Sequence, residues 1–269
     1  MRVHSNSAVS VCGVALAVGA LLLPGLPSGP GMALARDRTL HVAAAADLMP
    51  VLPHLAKAFT KRSGTPVRIS WGATGEEALA IRHHAPYDLF LAADAATPER
   101  LGREGFLQKS SLKTYAKGIL VLWVSKKALS ATKALPDTAL LLQPGIRKFG
   151  LANPRLAPYG HAALSCLRKK GLWTKLRKKA VYGNSLAQVA WYLRTGTAPA
   201  GFLSESQAMG LAKGSAKGDF VALSPACAPY LAQEMGIVRR SKNVGAARSF
   251  EDYLMSAEAQ EYLKEHGYH

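Results

Sequence analysis

Short apolar runs alternate along this chain with segments whose apolar residues recur at helical spacing. Leu40–Ala45 is the first run, and Val51, Leu52, Leu55 and Phe59 then repeat every three to four residues until Gly64 closes the pattern. Val67–Ser70 reads as a strand, Ala78–Ile81 as part of a helix, and Tyr87–Ala93 (YDLFLAA) as a strand too apolar for either face to meet water. Thr97–Glu104 is a short helix stopped by Gly105. Ile119–Val124 (ILVLWV) and Phe149–Ala152 are further buried strands, followed by a helix from about Gly160 to Lys170. Strands at Ala180–Tyr182, Gly201–Leu203 and Phe220–Leu223 interleave with helices at Ser185–Arg194 and Glu205–Leu211. Tyr230–Val238 is a strand or extended crossover, and helices over Val244–Met255 and Ala257–His266 end the chain. Such strict alternation predicts an α/β fold with parallel sheets covered by helices on both faces. Two α/β units follow one another, and the C-terminal piece is long enough to return to the first. A ligand is then expected beyond the carboxyl ends of the strands, in a cleft between two lobes.

The N-terminus departs from this pattern. Residues 8–23 are almost wholly apolar, Arg2 precedes them, and Ala33-Leu34-Ala35 offers a small-x-small cleavage site before Arg36. Residues 1–35 are therefore expected to be a secretory signal peptide, and the mature chain to be periplasmic. The run is about 16 residues, short for a membrane span. After cleavage, 33 basic residues face 17 acidic ones, a net charge of +16. That charge favours anionic partners, but no DNA- or RNA-binding motif appears. Seven of the 12 residues from Arg168 to Lys179 are basic, which reads first as a solvated helical surface and second as a face for an anionic membrane. Cys166 and Cys227 survive cleavage and either pair or stay free. The eight histidines are scattered, so no metal-cation site is expected.

Chemistry is concentrated where strands meet helices. In ISWGATGEEALA (69–80), an apolar strand gives way to Gly72-Ala73-Thr74-Gly75 and then to a helix with Glu76 and Glu77 in its first turn. The same device recurs at Ala43–Asp47, at Asn153–Gly160 and at Gly183–Leu186. Small residues let a ligand approach the backbone, and a helix N-terminus offers unpaired N–H groups with about half a positive charge. One such junction is only a capped helix. Several converging on one point would bind an anion without any arginine.

The strings VAAAADL (42–48), GATGEEALAIRHHAPYDLFLAAD (72–94), ANPRLAPYG (152–160), GNSLAQ (183–188), APAGFLSESQA (198–208) and FEDYLMSAEAQEYLKEHGY (250–268) give the chain a strong resemblance to the periplasmic molybdate-binding proteins of ABC importers. The resemblance implies a type II periplasmic-binding fold, two Rossmann-like lobes joined by two crossover strands. Lobe one would be residues 37–118 plus 234–269, and lobe two residues 119–233. It implies molybdate or tungstate held as a tetrahedral dianion by neutral donors, with no direct metal-cation ligands, no cofactor and no catalytic group. Carried over by position, the ligand set is Ala46, Asp47, Thr74, Tyr159 and Leu186, with Ser204 where some relatives have a tyrosine. The partners implied are the small oxyanion and a membrane permease, with the receptor itself a monomer.

Asp47 departs from the family pattern of serine or asparagine. A carboxylate 4 Å from one negative charge costs about 4 kcal/mol at an effective dielectric of 20. Its side chain is expected to turn away and cap the next helix; alternatively it accepts from a protonated oxyanion such as hydrogen phosphate. A phosphate or sulfate receptor is the rival reading. A hydrolase of anionic esters is a more distant one, since no GxSxG motif or placed histidine supports it.

Overall fold

The computed structural model describes residues 39–132, 137–214 and 216–269. The expected signal peptide lies outside these residues. Arg38–His269 forms one compact unit, and it holds two five-stranded sheets.

The first sheet is built from β1 (Leu40–Ala45), β2 (Val67–Gly72), β3 (Leu89–Leu91), β4 (Lys113–Gly118) and, far along the chain, β10 (Leu231–Ile237), in the order β2-β1-β3-β10-β4. The second comprises β5 (Leu120–Ser125), β6 (Phe149–Ala152), β7 (Ala180–Gly183), β8 (Ala200–Ser204) and β9 (Gly218–Ala222), in the order β7-β6-β8-β5-β9. The two orders are the same pattern used twice. In each sheet three parallel strands are followed by one antiparallel strand next to the edge: β10 runs against β3 and β4, and β5 against β8 and β9. The sheets are therefore mixed, not purely parallel as the alternation suggested. The reason is the crossovers. A single residue, Ile119, separates β4 from β5, and the chain returns through β10, so each crossover strand enters its sheet against the grain.

Ten α-helices cover the sheets: α1 (Leu52–Ser63), α2 (Thr74–Arg82), α3 (Ala96–Arg103), α4 (Lys126–Thr132), α5 (Pro158–Lys169), α6 (Trp173–Leu176), α7 (Leu186–Arg194), α8 (Glu205–Lys213), α9 (Val244–Leu254) and α10 (Ala257–Glu265). Each sheet has its own apolar core. Leu40, Val42, Leu55, Phe59, Leu89 and Phe250 lie in the first, and Leu122, Trp123, Phe149, Leu167 and Phe202 in the second. Burying such side chains stabilises by about 1.5–3 kcal/mol each. Cys166 on α5 is bonded to Cys227, Cα atoms 4.9 Å apart and 61 residues apart in sequence. On the chain-entropy account a loop of that length is worth about 4 kcal/mol. Among the described residues no helix is long and apolar enough to cross a membrane.

Candidate functional site

Where the lobes face each other, four strand-to-helix junctions meet. Ala45, Ala46 and Asp47 at the end of β1, Gly72–Thr74 between β2 and α2, Ala157–Tyr159 at the head of α5 and Leu186 at the head of α7 line one small cleft with Ala93. Its volume is about 200 Å³ counting the open mouth. Only about 10 Å³ of it admits the centre of a water-sized sphere, so the closed cleft suits one small ion without accompanying solvent. Among the described residues no lysine or arginine lines it, although the chain carries a net charge of +17.

Local sequence sets the donors. Thr74 is the first residue of α2 and Leu186 the first of α7, and Tyr159 is the second of α5, after Pro158. N–H groups in a helical first turn have no intrahelical acceptor, so all three amides are free to bind an anion. Pro158 contributes none, and its ring presets the helical φ. The preceding amide of α2 is already used: Ala73 N–H donates to Glu76 Oε2 at 3.1 Å. Thr74 Oγ1 accepts from Ala93 N–H at 3.0 Å, and that acceptance leaves its hydroxyl proton available. Thr74 is 1% exposed.

Two contacts close the lobes over this space. Gly75 N–H donates to Leu156 O at 2.8 Å, and Gln207 Nε2 donates to Ala46 O at 2.8 Å.

Asp47 lies at the floor and does not cap a helix. Pro50 and Pro53 delay α1 until Leu52, its N-cap is Val51, and no side chain caps it. The carboxyl group, 1% exposed, is held from the crossover side instead. Gln233 Nε2 donates to its Oδ2 at 2.7 Å and Tyr268 Oη at 3.3 Å; Tyr268 Oη also donates to the Asp47 carbonyl at 2.8 Å. Oδ1 has no partner among the described residues. Burial pushes the Asp47 pKa from 3.8 to about 7, against the lowering effect of the hydrogen bonds from Gln233 and Tyr268.

Gln233 is the centre of this network. It also donates to Tyr159 Oη at 3.0 Å, and its Oε1 shares the single Tyr115 hydroxyl proton with Ala92 O, each acceptor 2.9 Å from Tyr115 Oη. Tyr159 thus has its amide at the cleft and its hydroxyl in the hinge network. Burial first, and the Asp47 charge second, hold the phenols of Tyr115, Tyr159 and Tyr268 well above their usual range, so all three stay protonated donors.

Of the residues picked out by sequence, Ala46, Asp47, Thr74, Tyr159 and Leu186 come together. Ser204 does not join them at the cleft: it is the N-cap of α8, and its Oγ accepts from Gln207 N–H at 3.2 Å. Gln233, Tyr115, Tyr268 and Gln207 were not anticipated. A glutamine in the middle of an apolar strand, LAQEMGI, was the available signal, because a buried amide must find partners.

Two lobes on crossover strands, with a small cleft between them floored by helix N-termini, define a two-lobed solute-binding protein. The sequence profile of the bacterial extracellular solute-binding proteins matches residues 40–269. The molybdate-binding protein ModA of Azotobacter vinelandii is 34% identical over 92% of this chain and 96% of its own length. Among solved structures, the periplasmic molybdate-binding protein of A. vinelandii superimposes with a TM-score of 0.77 at 31% identity, covering 86% of this chain and 98% of that one. The sulfate-binding protein SubI of Mycobacterium tuberculosis shares the fold, with a TM-score of 0.72 at 18% identity over 86% of each chain. The chain belongs to the bacterial extracellular solute-binding protein family, a family of transport receptors and not of enzymes.

Proposed function

We propose that this chain is an exported receptor that captures molybdate or tungstate between its lobes and hands it to the permease of an ABC importer. The observation that carries this reading is the convergence of three helix N-termini, at Thr74, Tyr159 and Leu186, on one cleft without a cationic side chain. A dianion there meets free amides, the Thr74 hydroxyl and three helix dipoles. The tetrahedral ion accepts from every side, so neutral donors suffice. Each donor to a charged ligand contributes roughly 1.5–3 kcal/mol. Four such donors, three amides and one hydroxyl, are worth roughly 6–12 kcal/mol before the cost of dehydration and lost freedom. The relatives named as molybdate binders at 34% and 31% identity support the choice of ion.

Calorimetric titration with molybdate, tungstate, sulfate and phosphate tests the proposal. Molybdate and tungstate are expected to bind tightly and alike. Thr74→Val, which keeps shape and amide but removes the hydroxyl, is expected to weaken them about ten- to a hundredfold. Phosphate binding without molybdate binding would reject the proposal. It would favour a hydrogen-phosphate receptor in which the Asp47 carboxylate accepts the ligand's proton, a reading that the buried, half-satisfied carboxyl group keeps in play.

A further inference from the structure

The positive charge of this protein is not spread over it. Residues 119–233, which hold all of the second sheet, contain 16 Lys and Arg against three Asp and Glu, a net of +13. Residues 37–118 with 234–269 contain 16 against 14, a net of +2. No acidic residue occurs between Asp137 and Glu205.

The fold gathers this charge at one end. β6 and β7 run parallel, with Phe149 opposite Ala180, and their carboxyl ends lead to the cleft. Arg147 and Lys148 precede β6, and Arg177 and Lys178 precede β7, so these four stand at the opposite end of the sheet. Helix α5 starts at the cleft and runs back, which brings Arg168 to the same end, and α6 adds Lys175. All six are exposed, and none is in an ion pair among the described residues. The surface under them is braced: Lys169 Nζ donates to Ala226 O at 2.6 Å, next to the Cys166–Cys227 bond. Lys179 Nζ donates to the carbonyls of Leu141 at 2.9 Å and Gln143 at 3.2 Å. Leu142, between those two carbonyls, is 38% exposed, and Trp173 is half-buried beside Lys175.

We infer that this foot of the second lobe is a docking surface for an anionic lipid bilayer. Basic residues near an anionic leaflet each raise partitioning about fivefold at moderate salt. Leu142 among them suits a headgroup layer, where apolar side chains enter the interface, while Trp173 is packed against the second core. A soluble polyanion would use the charge and leave Leu142 unoccupied. Since the foot faces away from the cleft, docking leaves the anion mouth free.

The test is co-sedimentation of the unit 38–269 with vesicles of phosphatidylcholine mixed with phosphatidylglycerol, and with pure phosphatidylcholine. Binding is expected only to the mixed vesicles and is expected to fall with added salt. Changing Arg147, Lys148, Arg168, Lys175, Arg177 and Lys178 together to glutamine should reduce partitioning at least about tenfold. The control changes Lys57, Lys61, Arg68, Arg100, Arg239 and Arg240 of the first lobe, all exposed, and has the same net charge; it should stay within about twofold. Equal loss in both variants would overturn the inference, because net charge alone would then suffice. So would binding to dextran sulfate but not to the mixed vesicles, or no vesicle binding at all. Molybdate titration of the foot variant is expected to match the unaltered protein, so failure here and failure of the transport reading are separate results.

Discussion

Asp47→Asn is expected to make the ligand-free protein more stable at pH 8, by up to about 4 kcal/mol, and to change it little at pH 4. The sign follows from burial. The folded-state pKa of Asp47 is raised to about 7 from an ordinary 3.8. A carboxyl group raised on folding contributes its stability in the protonated form, fully below the unfolded value. That contribution is lost as pH climbs towards 7 and stays lost above it. Three pKa units correspond to about 4 kcal/mol. Asparagine keeps an acceptor for Gln233 and Tyr268 at the Oδ2 position and never ionises. Denaturant unfolding between pH 4 and 9 should show wild-type stability falling through this window and the variant falling less, the remaining slope coming from Glu251, which burial also raises to about 7. Anion binding should follow the same titration. A bound dianion favours the protonated acid, so wild-type affinity should decline above pH 7, and Asp47→Asn should bind about tenfold or more tightly at pH 8.5. A variant less stable than wild type at pH 8 would mean that the carboxylate is compensated by the network more fully than burial suggests.

Much of this was legible in the residues themselves. Gly-Ala-Thr-Gly at the start of α2 and Pro-Tyr-Gly at the head of α5 announce helix starts that a ligand can approach, and both reach the cleft. The apolar runs of β1, β3, β5 and β6 are buried on both faces, so their pattern is unambiguous. β4 was missed because KTYAKG mixes two lysines and a threonine with buried Tyr115, Ala116 and Gly118 at the edge of its sheet, a weak signal beside an apolar run. The antiparallel placement of β5 and β10 depends on crossovers between lobes, which local periodicity does not encode. The role of Asp47 was hidden for a similar reason. Its partners Gln233 and Tyr268 lie 186 and 221 residues away, and only the folded hinge brings them to it.

Gly75→Val is expected to weaken molybdate binding by two to four orders of magnitude while leaving the unliganded fold intact. Gly75 is the second residue of α2, and its backbone does not require a positive φ, so valine adds no backbone strain. What it adds is bulk at the lobe seam. A Cβ there would already stand 3.1 Å from Leu156 Cα and 3.1 Å from Leu156 O, and both methyl groups extend beyond it. Leu156 belongs to the loop that leads into α5, so moving it away also withdraws the Tyr159 amide. The second lobe supplies the Tyr159 and Leu186 donors, and losing two bonds to a charged ligand costs roughly 3–6 kcal/mol. Because the obstruction lies at the seam between lobes, and Leu156 only borders the second core, thermal unfolding of the ligand-free variant should change far less than binding does. Small-angle scattering should show compaction on adding molybdate to wild type and none with Gly75→Val. Gly75→Ala, with the close contact but no further bulk, should lose far less. Tight binding by the valine variant would mean that the seam yields, and that the Gly75 N–H to Leu156 O contact is a by-product of closure, not its limit.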